Sequence, residues 1–136
     1  MAIGENNGMK ILAAPDGVDA TLDRLENIAA LRGLKVFARI NFAKDAAAAG
    51  LKMPASQLLI LGNPAGGTPL MLAAPTTAVD LPLKVLAWQD SADRCWVGYN
   101  TPAYLQQRHG FPAALMANIA GLEKLVLSAV TCCANK

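Results

Sequence analysis

The chain has 136 residues, a formal net charge of +2, 54% hydrophobic residues and 16% charged ones. One domain of that size closes a core without staples. The basic residues, densest at Arg24, Arg32, Lys35, Arg39 and Lys44, are interrupted by acids and form no stripe, which excludes a nucleic-acid partner.

No apolar run approaches the roughly 20 residues that cross a bilayer, so no membrane span is expected. The surplus apolar surface is expected to face a second copy of the chain. Met1 to Gly8 is polar and Gly/Asn-rich, without the apolar centre of an export signal. It reads as a disordered leader or a cloning remnant, which leaves residues 9–136 as one domain.

Met9 to Ala14 reads as a short strand, and Pro15-Asp16-Gly17 as a turn. A helix from Val18 to Arg32 places Val18, Leu22, Leu25 and Ala29 on one face, with Gly33 as its left-handed stop. Lys35 to Phe42 alternates as a strand, with Val36, Ala38, Ile40 and Phe42 on one side. Lys35, Phe37, Arg39 and Asn41 fall on the other. Ala43 to Ala49 is a short alanine helix closed by Gly50.

Gln57 to Leu61 is apolar on both faces and is expected at the sheet centre. It breaks at Gly62-Asn63-Pro64. Thr68 and Pro69 then read as the cap and first residue of a helix that Pro75 ends. Leu83 to Asp90 and Arg94 to Asn100 form a hairpin, with Trp88 and Trp96 facing each other across it. Thr101-Pro102 starts the helix Ala103 to Arg108, closed by Gly110. The final helix runs from Ala113 to Thr131, apolar over most of its girth.

The strings Leu31-Arg32-Gly33-Leu34-Lys35-Val36-Phe37-Ala38-Arg39-Ile40-Asn41, Leu61-Gly62-Asn63-Pro64, Asp80-Leu81-Pro82-Leu83-Lys84-Val85-Leu86 and Val97-Gly98-Tyr99-Asn100-Thr101-Pro102 come in the order shown by domain-of-unknown-function family 302, which the chain resembles from about Thr21 to Gly110. The resemblance implies an α+β domain: a mainly antiparallel sheet of four to five strands packed against helices, on a β-α-β4-α plan like the TATA-binding-protein fold. Asn41 stands where that family often carries an aspartate. No activity comes with the family name.

Chemistry is sparse. Gly66-Gly67-Thr68 offers N–H groups and a hydroxyl at a helix start but lacks the lysine of a phosphate loop. The plainer reading is that the glycines relieve a sharp strand-to-helix corner, with Asn63-Pro64 as turn chemistry. His109 is the single histidine and reads as complementing its helix's negative end. Asp80, Asp90 and Asp93 read as turn formers, and Tyr99 as a half-buried core tyrosine. Cys95, Cys132 and Cys133 form neither a disulfide framework nor a spaced metal set. No metal and no cofactor are expected. Reduced thiols point to the cytoplasm, with a mature periplasmic form left open.

The reading is a homodimeric module without catalytic activity that binds a small molecule or a protein partner. Phe37, Arg39, Asn63, Lys84 and Tyr99 are its candidate binding residues. The alternative is an enzyme using Asn63, Gly66, Gly67 and Thr68 as an anion site, which requires that corner to meet Arg39 or Lys84. A third reading is an interaction module fused or tethered to other proteins.

Overall fold

The computed structural model describes residues 2–4 and 7–131. Six strands form one sheet: β1 (Ala2–Gly4), β2 (Met9–Ala14), β3 (Lys35–Asn41), β4 (Ser56–Gly62), β5 (Leu83–Gln89) and β6 (Cys95–Asn100). Their spatial order is β1-β2-β6-β5-β4-β3, and every neighbouring pair is antiparallel. The helices are α1 (Val18–Leu31), α2 (Phe42–Ala48), α3 (Pro64–Ala73), α4 (Pro102–His109) and α5 (Gly121–Thr131), with 3-10 turns at Pro75–Asp80 and Ala113–Asn118. This is the expected α+β domain. Part of the expected leader, Ala2–Gly4, pairs with β2 as a short outer strand, while Met1, Glu5 and Asn6 lie outside the described residues.

The period-2 and period-3.6 patterns meet on one side of the sheet. Leu59, Leu61, Val85, Ala87, Val97 and Tyr99 point to α1 and α5, which supply Leu22, Leu25, Ala29, Leu125, Val126 and Ala129 to the same core. Arg24 pins the two helices together: its Nη1 donates to the Ala129 carbonyl at 2.7 Å, and its Nη2 pairs with Asp16. A second, smaller core of Leu70, Ala74, Leu105, Phe111 and Ile119 joins α3, α4 and both 3-10 turns.

Three local expectations change. Helix α3 begins at Pro64, because the Asn63 side chain accepts from the Ala65 N–H at 3.0 Å and Pro64 suits the first helical position. Thr68 and Pro69 therefore lie inside α3. There Thr68 Oγ1 donates back to the Pro64 carbonyl at 2.7 Å, and Pro69 brings no N–H to the Ala65 carbonyl.

Strand β3 carries a bulge between Val36 and Ala38, which resets its alternation. Val36 opposite Leu61 and Arg39 opposite Leu59 thus share the helix-facing side, where strict alternation had separated them. The C-terminal helical stretch keeps its expected span, but its first six residues, Ala113–Asn118, wind as 3-10 before α5 begins.

That stretch, Ala113–Thr131, has 19 residues and a mean hydropathy of 1.5, long and apolar enough to cross a membrane by those measures alone. Within the fold its Leu122, Leu125, Val126 and Ala129 belong to the core beside α1. The hairpin and the facing of Trp88 and Trp96 are as expected.

Candidate functional site

At one end of the sheet the strands stop and leave a cleft. The end of β4 (Leu61, Gly62), the start of β5 (Leu83), the N-terminal half of α3, and the junction before α5 surround a cavity of about 470 Å³. Its wall is mostly apolar: Leu34, Phe37, Leu61, Met71, Leu81, Leu83, Ile119 and Leu122 line it, and Asn63, Thr68, Asn118 and Arg32 supply its polar side chains. Phe37 stands at 43% exposure, with Lys35 Nζ 4.8 Å above its ring. Among the described lining residues there is no carboxylate, imidazole, thiol or amine.

Gly66 has a packing reason. A Cβ on Gly66 would meet the Asn118 carbonyl oxygen at 2.9 Å, and the Asn118 Nδ2 donates to the Gly66 carbonyl at 3.1 Å. Close approach of α3 to the 3-10 turn thus requires a residue without a side chain. The Gly66 and Gly67 N–H groups donate to the Asn63 carbonyl at 2.9 and 3.0 Å, so the corner's donors are largely engaged within the turn.

Of the sequence-derived candidates, Phe37, Asn63, Gly67 and Thr68 line this cavity; Gly66 sits behind its wall. Arg39 lies elsewhere, because the bulge turns it onto α1. Its Nε donates to Gln57 Oε1 at 2.8 Å, and its Nη1 to Asp23 at 2.7 Å and Glu26 at 2.6 Å. Burial alone would lower the Arg39 guanidinium's pKa; the hydrogen bonds and charges of Asp23 and Glu26 outweigh it and raise the group above its usual value.

Lys84 is on the opposite face of β5, its Nζ donating to the Pro82 carbonyl at 3.2 Å. Tyr99 is buried at 2% exposure in the main core, more deeply than expected. The corner therefore meets neither Arg39 nor Lys84. Cys132 and Cys133 lie outside the described residues.

One constellation escaped the sequence. His109, at the end of α4, contacts Asp80 Oδ2 through Nε2 at 2.5 Å and Thr76 Oγ1 through Nδ1 at 2.9 Å. Arg108 also reaches Asp80 at 3.3 Å. Hydroxyl, imidazole and carboxylate follow the order of a nucleophilic relay. The neighbouring depression is open and lined by Pro75, Thr76, Val79, Arg108 and His109. The group ties α4 to the 3-10 turn Pro75–Asp80, and we read it as a structural tether. Its partners stand 29 and 33 residues apart in the chain, a separation that carries no sequence pattern. Asp80 thus does more than form a turn.

Comparison with known proteins places this geometry in a family. Residues 10–128 match the family described as "Domain of unknown function DUF302", and the chain belongs to it. The crystal structure of an uncharacterized conserved DUF302 protein from Bacillus stearothermophilus superposes with a TM-score of 0.75 at 19% identity, covering 91% of this chain and 96% of that one. That likeness shows the fold.

The chain is also 38% identical over 104 residues to "Fluoride-specific ion channel FluC 1" of Brucella suis biovar 1 (strain 1330) and to its namesake of Brucella abortus biovar 1 (strain 9-941). Those matches take in 76% of this chain but only 41% and 38% of the two relatives, so the chain spans about two fifths of their length.

Proposed function

We propose that this chain is a homodimeric module that holds a small, largely apolar ligand and performs no chemistry on it. The observation that carries this reading is the cavity of about 470 Å³ at the strand ends. Its size falls in the range of small-molecule sites, and its few polar side chains, Arg32, Asn63, Thr68 and Asn118, sit on an otherwise apolar wall as such sites require. The lack of a carboxylate, imidazole, thiol or amine among the described lining residues supports binding over catalysis.

Titration with an environment-sensitive apolar dye tests it. Saturable binding is expected for the wild type and is expected to weaken in Met71→Trp, whose indole ring projects into the cavity while circular dichroism stays native. Equal dye binding by both proteins overturns the reading.

The relatives favour a second reading. A chain resembling part of two proteins named as fluoride channels is suited to serve as an accessory unit beside such a channel. Fluoride efflux from liposomes carrying the channel portion of a relative, with and without this chain added, decides it. An unchanged flux and no co-sedimentation of the chain would remove that role.

A further inference from the structure

We propose that the strand-end cavity takes a monocarboxylate with an apolar body, its head held at the mouth by Arg32. The inference names the class of ligand for the small-molecule reading above and rests on it.

The arginines of the chain differ in their partners. Arg24 pairs with Asp16, Arg39 with Asp23 and Glu26, and Arg108 with Asp80. Arg94 stands near enough to Asp90 to help lower that carboxylate's pKa. Arg32 has no carboxylate within ion-pair distance among the described residues. Its side chain bonds there to a hydroxyl, Nη2 donating to Ser128 Oγ at 3.3 Å. That single long bond leaves most of the guanidinium's five N–H donors for a ligand.

The path of the chain sets Arg32 at the cavity. It is the C-cap of α1, and Gly33, at φ +73°, turns the backbone toward β3. Lys35 is the register partner of Gly62, the residue before Asn63. Both cations therefore stand at the margin that carries the Asn63 corner, and Arg32 and Asn63 both line the wall. Lys35 adds its charge through Nζ, 4.8 Å from the ring centre of Phe37, itself a wall residue.

The side-chain groups left over at that margin are donors. Asn63 spends Oδ1 on the Ala65 N–H, so it offers a ligand its N–H groups. With Arg32 it matches a head that only accepts, and a carboxylate presents two oxygens to the guanidinium fork. The Thr68 hydroxyl proton and the Asn118 Nδ2 are already committed to the Pro64 and Gly66 carbonyls. Beyond the margin Leu34, Met71, Leu81, Ile119 and Leu122 present an apolar wall, which an apolar body covers by displacing water. A cationic ligand meets Arg32 and Lys35 and finds no carboxylate among the described lining residues.

Displacement of the apolar dye by straight-chain carboxylates, hexanoate to dodecanoate below their micelle concentrations, tests the assignment beside decanol, decylamine and decyl phosphate. Each added methylene is expected to tighten binding about fourfold until the cavity is full. Decanoate is expected to bind about tenfold more tightly than decanol, and more tightly still than decylamine. Added salt should weaken decanoate and leave decanol unchanged. Arg32→Gln should abolish the preference for decanoate with native circular dichroism and unaltered decanol binding. Lys84→Gln removes the same charge from the strand face opposite buried Val85 and should keep the preference.

Equal binding of decanoate, decanol and decylamine overturns the carboxylate assignment and leaves the apolar-ligand reading standing. So does a preference that survives Arg32→Gln or vanishes in Lys84→Gln, and so does dye binding that no member of the series displaces. Decyl phosphate bound more tightly than decanoate overturns it too, since the head would then be a phosphate. Failure of the dye and of every amphiphile to bind overturns both.

Discussion

His109 Nε2 lies 2.5 Å from Asp80 Oδ2, with the His109 side chain only 3% exposed and that of Asp80 14%. The tautomer carrying its proton on Nε2 satisfies the carboxylate and leaves Nδ1 to accept from Thr76 Oγ1. One ring thus ties the last turn of α4 to the 3-10 turn that precedes β5.

His109→Ala is expected to destabilise the fold by about 2–4 kcal/mol, combining lost packing with an Asp80 left short of a partner. His109→Gln, which can still donate, should recover part of it. Urea denaturation followed by circular dichroism measures both. If the group were a catalytic relay, Thr76→Val would abolish hydrolysis of an activated ester at unchanged stability; as a tether, Thr76→Val alters stability only slightly and there is no hydrolysis to lose.

Leu125 is fully buried between α1 and the sheet. Leu125→Ala is expected to cost about 3–5 kcal/mol, the range for a large-to-small change at a site with little room to relax. The midpoint of thermal unfolding should fall by about 10–17 °C for a domain of this size. Exposed Leu127, two residues further along α5 at 53% exposure, should tolerate the same change within about 0.5 kcal/mol.

Gly66→Ala places a methyl group 2.9 Å from the Asn118 carbonyl, a backbone atom that cannot swing aside. A loss of about 1–3 kcal/mol is expected, together with weaker dye binding, since Asn118 and Ile119 form one wall of the cavity. Gly98→Ala should cost less, because its nearest contact is the flexible end of Met9. Parallel thermal melts of the two variants check the order.

Asp90 holds the β5–β6 turn: its carboxylate accepts from Trp96 Nε1 at 2.8 Å and from the Arg94 and Ala92 N–H groups at 3.0 and 2.8 Å. The Trp96 hydrogen bond, then the backbone bonds, hold its pKa below the usual carboxylate range. A group depressed in the folded state contributes stability above its unfolded pKa and loses it as pH falls through the folded one. Asp90→Asn should therefore be less stable than the wild type at neutral pH, the gap closing as pH falls through and below the ordinary aspartate range, so that its acid unfolding is shallower.

Burial pushes the Cys95 thiol up, offset in part by the Thr21 side chain. In a Cys132→Ser/Cys133→Ser background, a thiol reagent at neutral pH should label the native protein slowly and the urea-unfolded protein at once. Rapid native labelling would show that the β2–β6 end opens readily.

Much of the architecture was legible because local signals agreed with one another. The α1 stripe, the Trp88–Trp96 hairpin and the Gly33 and Gly110 stops all depend on neighbours within a few residues. The bulge in β3 was not legible, since nothing in Lys35-Val36-Phe37-Ala38-Arg39 marks one extra residue, and it moved Arg39 to the helix-facing side. Asn63 outcompeted Thr68 as the cap because Pro64 directly follows it, a pairing as strong as the Thr68-Pro69 one further on. Of the cavity, the Asn63–Thr68 corner and Phe37 were visible as turn and strand features. Its other wall, Asn118 to Leu122, reaches it only through the tertiary path of the chain, which periodicity does not encode.

The kink in the outermost ribbon has a consequence for handling the protein. A neighbouring molecule that tried to extend the ladder at β3 would have to copy a displaced pair of residues, and at the far margin it would find only the three-residue β1. Both ends are thus poor templates for fibre growth.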